Sequence, residues 1–139
     1  MPLLFLHNIT GYIVGTDFER GGITKNGSKM INAVANSAVP HRTVVLGAYY
    51  GAGNYGMGGR AFGTRFNFVW PTAKIAVMGP KQMAGVMTIV TRAAAKRRGI
   101  EFDEEADARI VAAVEAMQEK GSVAVEASGA ISDDGILVP

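Results

Sequence analysis

At 139 residues, 48% of them hydrophobic and 18 of them glycine, with a net charge of +2, the chain is long enough for one domain with a real core and too apolar for disorder. The lack of cysteine excludes disulfides and thiolate metal sites, and two histidines, His7 and His41, are a poor basis for a histidine-rich metal centre or a histidine-driven triad. No run of about 18 apolar residues exists to cross a membrane, and the start Leu3-Leu4-Phe5-Leu6 is too short and uncharged for a signal peptide.

Leu3 to Leu6 reads as a buried strand that leads into a loop through Gly15. Asp17-Phe18-Glu19-Arg20-Gly21-Gly22 punctuates the chain. A helix follows to about Val39, with Met30, Ile31, Val34, Ala35 and Ala38 on one face and Pro40 as its stop. Thr43 to Leu46 is a second buried strand. After a glycine-rich turn come a short helix through Asn54 to Arg60, an alternating strand Arg65 to Trp70, and a strand Lys74 to Met78 broken by Gly79-Pro80. Lys81 to Arg98 reads as a long helix with Met83, Val86, Met87 and Val90 turned inward and Gly99 at its C-terminal cap. Asp103 caps another helix to about Lys120, striped by Ile110, Val111, Val114 and Met117 and ended by Gly121. The tail to Pro139 is irregular, with Asp133-Asp134-Gly135 as a turn signal. Strand–turn–helix units with buried strands place residues 1–139 in the α/β class as a single domain.

The charge is unevenly spread. Residues 1–100 carry twelve Lys/Arg against two Asp/Glu, and residues 101–139 carry two against ten. The basic residues are scattered without interleaved aromatics, which argues against nucleic acid. The dense Lys96-Arg97-Arg98 cluster precedes the acidic stretch from Glu101 to Asp107, so self-neutralisation within a helical hairpin is expected.

The most informative segment is Ala48 to Arg60, with five glycines and two alanines in thirteen residues. Small residues where a strand turns into a helix let backbone N–H groups approach an anion, or the oxyanion of a carbonyl reaction. No Gly-Lys-Ser/Thr follows, so this is not a Walker loop, and no dinucleotide-binding glycine pattern can be drawn. Taken alone, the segment reads equally well as a close-packed helix–strand crossing.

Its neighbours add a resemblance. Asn8-Ile9-Thr10-Gly11-Tyr12, Glu19-Arg20-Gly21-Gly22, Lys29 to Asn36, Tyr50-Gly51-Ala52-Gly53-Asn54-Tyr55, Phe68-Val69-Trp70-Pro71 and Asp133-Asp134-Gly135-Ile136 occur in that order. From Leu3 to Pro139 the chain resembles the C-terminal lobe of the carboxyltransferase (beta) subunit of biotin-dependent acyl-CoA carboxylases. It is most similar to the methylcrotonoyl-CoA and geranyl-CoA branch. The resemblance implies a crotonase-like spiral of ββα units, a subunit several times longer, and an N-terminal acyl-CoA lobe that is not part of this sequence.

It also implies the chemistry. Carboxybiotin, carried on a separate carrier domain, gives up CO2; the biotin enolate takes a proton from the acyl-CoA, and the thioester enolate attacks CO2. Carried over position by position, the backbone N–H groups of Ala52 and Gly53 form the biotin-side oxyanion hole, with Gly51 giving room. Thr10, Gly11 and Tyr12 line the biotin pocket, Tyr12 standing where the family has Phe. Tyr50 and Asn54 shape it, and Gly79, Arg60, Trp70 and the Asp133-Asp134 pair are supporting or structural. The implied partners are the biotin carboxyl carrier domain, the biotin carboxylase component, the N-terminal lobe and further copies of the subunit. The implied compartment is the cytoplasm, or the mitochondrial matrix in a eukaryote. Neither nucleic acid nor a membrane is implied. A lobe of a biotin-dependent decarboxylase and a non-catalytic assembly module with the same fold are the alternative readings.

Overall fold

The computed structural model describes residues 1–138; Pro139, the end of the predicted tail, lies outside the described residues. Strand β2, His41–Tyr50, organises the sheet. It runs parallel to β1 (Leu3–Ile9) on one side. On the other side it pairs first with β3 (Phe66–Val69) and then with β4 (Lys74–Ala76), both parallel. A short strand β5, Gly135–Ile136, adds to β3, again in parallel.

Alternation along these strands sends His7, Thr43, Val45, Asn67 and Val69 to one fully buried face. There Val45, Val69, Ala73 and Ala124 form the core, and Tyr49, Trp70, Ile75 and Ile136 pack around it. The opposite face is bare: Leu6 is 54% exposed, and Leu4, Leu46 and Phe66 also lie open. Parallel sheets are ordinarily covered on both faces; among the described residues these four apolar side chains stay open.

Asp17 to Arg20, read as punctuation, instead form a helix with Thr16, α1 (Thr16–Arg20), which Gly22 in the left-handed region separates from α2 (Ile23–Ala35). Helix α2 stops short of Val39. Asn36 caps it through its backbone and side chain, both donating to Asn32 O, and the approach to Pro40 disfavours helical backbone.

Helices α3 (Pro80–Arg98) and α4 (Glu104–Ser122) form an antiparallel hairpin through Gly99, which takes the left-handed conformation expected of a C-terminal cap. The Asp103 carboxylate accepts the Ala106 N–H at 2.8 Å, as its capping position predicts. The predicted inward residues are a correction: Val86, Met87 and Val90 on α3 and Ile110 and Met117 on α4 are exposed. Met83, Val111 and Val114 of the same stripes are half-buried, so the stripes are covered only in part among the described residues. Charge neutralisation within the hairpin uses the expected acidic stretch but a different basic residue. Arg92 pairs with Glu104 at 3.0 Å and lies over the Phe102 ring, while no ion pair involves Lys96, Arg97 or Arg98 among the described residues.

Helix α5 (Ala124–Gly129) ends in a Schellman pattern, with Ile131 N–H donating to Ser128 O and Ser132 N–H to Ala127 O. The left-handed position is filled by Ile131 at φ 58°, the only non-glycine residue with positive φ among the described residues. A β-branched residue is costly there. Beyond it, Asp133 is buried and accepts from Ser128 Oγ and the Gly135 N–H, while Asp134 accepts the Asn67 N–H at 2.7 Å and pairs with Arg60 at 3.3 Å. The acidic pair therefore latches β5 onto β3, consistent with a turn rather than acid/base chemistry. Because the Ile131 side chain is largely exposed and forfeits little packing, Ile131→Gly is expected to stabilise the chain by about 1 kcal/mol, read as a rise in the chemical-denaturation midpoint.

Candidate functional site

Parallel α/β sheets bind ligands beyond the carboxyl ends of their strands. Here the ends of β1, β2 and β4 converge. Strand β1 runs out into Thr10-Gly11-Tyr12 and β4 into Val77-Met78-Gly79, while β2 passes directly into a 3₁₀ helix, Gly51–Met57. This helix begins earlier than the predicted Asn54 start, because Gly51 at φ 62° makes the corner. A Cβ on Gly51 would sit 3.4 Å from Val77 O, so the corner is also where the β2 and β4 exits come close together.

The turn lies on a bed formed by one face of β1. A Cβ on Gly58 would come within 2.6 Å of the Phe5 ring, and one on Gly53 within 2.6 Å of Ile9 Cγ2. Between them His7, fully buried, bonds Met57 O through Nε2 at 2.5 Å. Since a carbonyl only accepts, Nε2 carries the proton and donates. Burial pulls the imidazole pKa below its usual value, opposed by that hydrogen bond, so the ring is neutral at neutral pH. Thr43 Oγ1 donates to the next carbonyl, Gly58 O, at 2.6 Å. Ile9 reaches the turn because β1 shifts register between His7 and Ile9; there Asn8 Oδ1 accepts the Ala48 N–H, in space that only Gly47 leaves open.

The i→i+3 pattern of a 3₁₀ helix leaves the N–H groups of Gly51 and Ala52 outside the helical ladder and turns that of Gly53 toward Tyr50 O. Gly51, Ala52 and Asn54 border a cavity of about 560 Å³ that Ile75, Val77 and Ser132 also line. Asn54 Nδ2 donates to Gly51 O at 2.6 Å, so its side chain holds the turn closed.

Of the residues singled out in the sequence, Gly11, Gly51, Ala52, Gly53 and Asn54 are brought together; the Gly11 backbone lies 3.5 Å from where a Gly53 Cβ would be. Thr10 is exposed at the end of β1. The Tyr12 ring lies across Gly27 of α2 and lines an apolar cleft with Ile23 and Ile31, while its hydroxyl is 3.4 Å from where a Gly56 Cβ would be. Tyr50 faces a cavity of about 580 Å³ between the starts of α3 and the end of α4, with Gly79, Lys81, Glu115 and Glu119. Sequence reasoning missed Ser132 and Val77 at the cavity and His7 beneath the turn; the alternation of β1 was the signal for His7.

The site is thus a glycine turn with backbone N–H groups outside the helical ladder, set beside a cavity at the carboxyl end of a parallel sheet in an α/β protein. The chain belongs to the carboxyl transferase domain family, which it matches over residues 1–138. It is 58% identical over 138 residues to a probable biotin-dependent acyl-coenzyme A carboxylase beta2 subunit of Mycobacterium tuberculosis, covering 99% of this chain and 26% of that one. It is 48% identical to a probable mitochondrial methylcrotonoyl-CoA carboxylase beta chain of Drosophila melanogaster, covering all of this chain and 24% of that one. The crystal structure of the P. aeruginosa geranyl-CoA carboxylase beta subunit superimposes with a TM-score of 0.89 at 43% identity, over 99% of this chain and 26% of that one. A transcarboxylase 12S described as a hexamer assembly superimposes with a TM-score of 0.76 at 28% identity. The fold is therefore the crotonase-like α/β fold of carboxyltransferase beta subunits, and the chain spans about a quarter of the length of these relatives.

The packing of the turn predicts a coupling. Gly53→Ala is expected to destabilise the chain by about 1–3 kcal/mol through overpacking against Ile9. Adding Ile9→Ala should return part of that loss, giving a coupling of about 0.5–3 kcal/mol in a double-mutant cycle of chemical denaturation; strict additivity would contradict the contact.

Proposed function

We propose that the chain is the biotin-side lobe of a carboxyltransferase that moves CO2 between biotin and an acyl-CoA, working with an acyl-CoA-binding lobe that this sequence does not contain. The observation that carries the proposal is the start of the 3₁₀ helix. Ala52 borders the cavity while its N–H stands outside the helical ladder. A cavity of about 560 Å³ with a backbone wall fits a bicyclic urea better than a group needing charged ligands. Among the described residues no cluster of three or more His, Cys, Asp or Glu side chains could hold a metal ion.

Biotin, delivered by its carrier domain, supplies the carboxyl group and the base. This chain's residues orient and stabilise. Gly51 makes the corner, Ala52 offers its free N–H where charge develops on the urea oxygen, and Gly53 offers an N–H shared with Tyr50 O; such three-centre bonds are common at helix termini. Gly11 gives backbone room beside them. The matching relatives support the acyl-CoA class, and the direction of CO2 transfer follows whichever acyl-CoA the other lobe presents.

We place the chain in an assembly with the biotin carboxyl carrier and biotin carboxylase components, and with further copies of itself. The bare sheet face and the exposed hairpin residues support the last point, since large uncovered apolar surfaces drive association. No helix among the described residues is long and apolar enough to cross a membrane; we propose the cytoplasm, or the mitochondrial matrix in a eukaryote.

Ala52→Pro tests the donor directly. Proline is tolerated in a first helical turn and removes the N–H there. In an assembly supplied with the acyl-CoA lobe, kcat should fall about 10²–10³-fold with little change in KM for the acyl-CoA. An unchanged kcat would contradict the assignment.

A further inference from the structure

We propose that His7 is the positioning residue of the glycine turn, its single Nε2–H bond to Met57 O setting where the Ala52 and Gly53 N–H groups sit. The proposal rests on the carboxyltransferase reading for its catalytic consequence, but not for its structural one.

Three neighbouring inward residues of β1 meet the turn, and they do different things. Phe5 and Ile9 touch it by shape alone, at the positions of Gly58 and Gly53. Contacts of that kind limit how close the turn comes, yet they do not fix its position along the strand. His7 supplies a directional bond from the same strand to Met57 O, the last residue of the 3₁₀ helix. The ring cannot swing to lose it. It is fully buried and stacked on Tyr49 with centroids 5.3 Å apart and planes 14° from parallel, and the Tyr49 hydroxyl in turn accepts the Arg60 N–H at 3.3 Å. Met57, Gly58 and Arg60 are thereby held in sequence by His7, Thr43 and Tyr49.

The other ring nitrogen sharpens the argument. Nδ1 is buried with no hydrogen-bond partner, and a buried unsatisfied polar atom is a net cost. A leucine at this position would avoid that cost and fill the same layer. What leucine lacks is the N–H and the ring stacked on Tyr49, and of the two only the N–H bonds the turn. Because the 3₁₀ helix is a short, stiff unit, a loosened Met57 end shifts the Gly51 end as well, and small misplacements of a catalytic group are expensive.

The experiment compares His7→Leu, which keeps volume without the donor, with His7→Gln, whose side-chain amide N–H extends to about the place of Nε2. Residue-resolved hydrogen exchange of the full chain is read at Asn54 to Met57 and at Thr43 to Val45. Transfer kinetics are read with the acyl-CoA lobe added. In His7→Leu, exchange at the turn should speed by about tenfold or more while β2 stays within about twofold. Its kcat should fall by about tenfold or more at unchanged KM for the acyl-CoA. His7→Gln should restore both to within about threefold of the parent. Unaltered turn exchange in His7→Leu, or a His7→Gln as impaired as His7→Leu, would overturn the proposal. If His7→Leu loses protection everywhere, His7→Asn, whose shorter amide does not reach Met57, takes its place: turn exchange matching that of His7→Gln would overturn the proposal, and selective loss at the turn would support it. A parent assembly that transfers no CO2 would instead count against the carboxyltransferase reading, while the exchange data still decide the role of His7.

Discussion

Gly53 and Gly58 bring the backbone of the glycine turn down onto β1 at distances that no side chain on the turn would allow, 2.6 Å from Ile9 and Phe5 for an added Cβ. That close approach orders much else at this end of the molecule. It lets His7 and Thr43 reach consecutive carbonyls, Met57 and Gly58, and so fastens the far end of the 3₁₀ helix to two strands. It also requires Gly51 to reverse the chain at positive φ straight after β2. The cavity is the space left beside that reversal, between the β2 and β4 exits. Its donors need no special side chain, so a chain without cysteine and with both histidines buried can still carry charge-stabilising chemistry.

The surfaces complement this rigidity. One sheet face and the outer faces of α3 and α4 keep apolar residues in water, Leu4, Leu6, Val86, Met87 and Met117 among them. A buried core as small as Val45, Val69, Ala73 and Ala124 yields limited hydrophobic stabilisation. Both facts fit a piece whose relatives are about four times as long. In the proposed assembly the same surfaces would position the acyl-CoA lobe over the turn, so stability and catalysis would both depend on the partner.

The α/β class and most elements were legible because their signals are local: Asp103 and Gly99 cap as their positions suggest, and the short apolar runs and one alternating segment form the strands. The helix near Thr16 was hidden because its glycine-flanked five residues bury none of their number and so show no apolar period. The inward stripes assigned to α3 and α4 held only for Met83, Val111 and Val114, which are half-buried, because periodicity identifies an apolar face but not what covers it. At the candidate site the glycine turn was visible as composition, and Gly11 beside it through family resemblance. The roles of Ser132, Val77 and His7 were not, since they depend on which strand ends the topology brings together. Tyr50 adjoins the turn in sequence, but strand alternation carries its ring elsewhere, and Tyr12, in the loop after β1, lays its ring across Gly27 and meets the turn only through its hydroxyl at Gly56.

The division of labour between lobes is the central claim, and ligand selectivity of the 139-residue chain tests it most directly. Isothermal titration of the chain with free biotin and, separately, with an acyl-CoA should show weak, saturable biotin binding that Ala52→Pro abolishes, and no measurable acyl-CoA binding. Tight acyl-CoA binding together with no response to biotin would contradict the account.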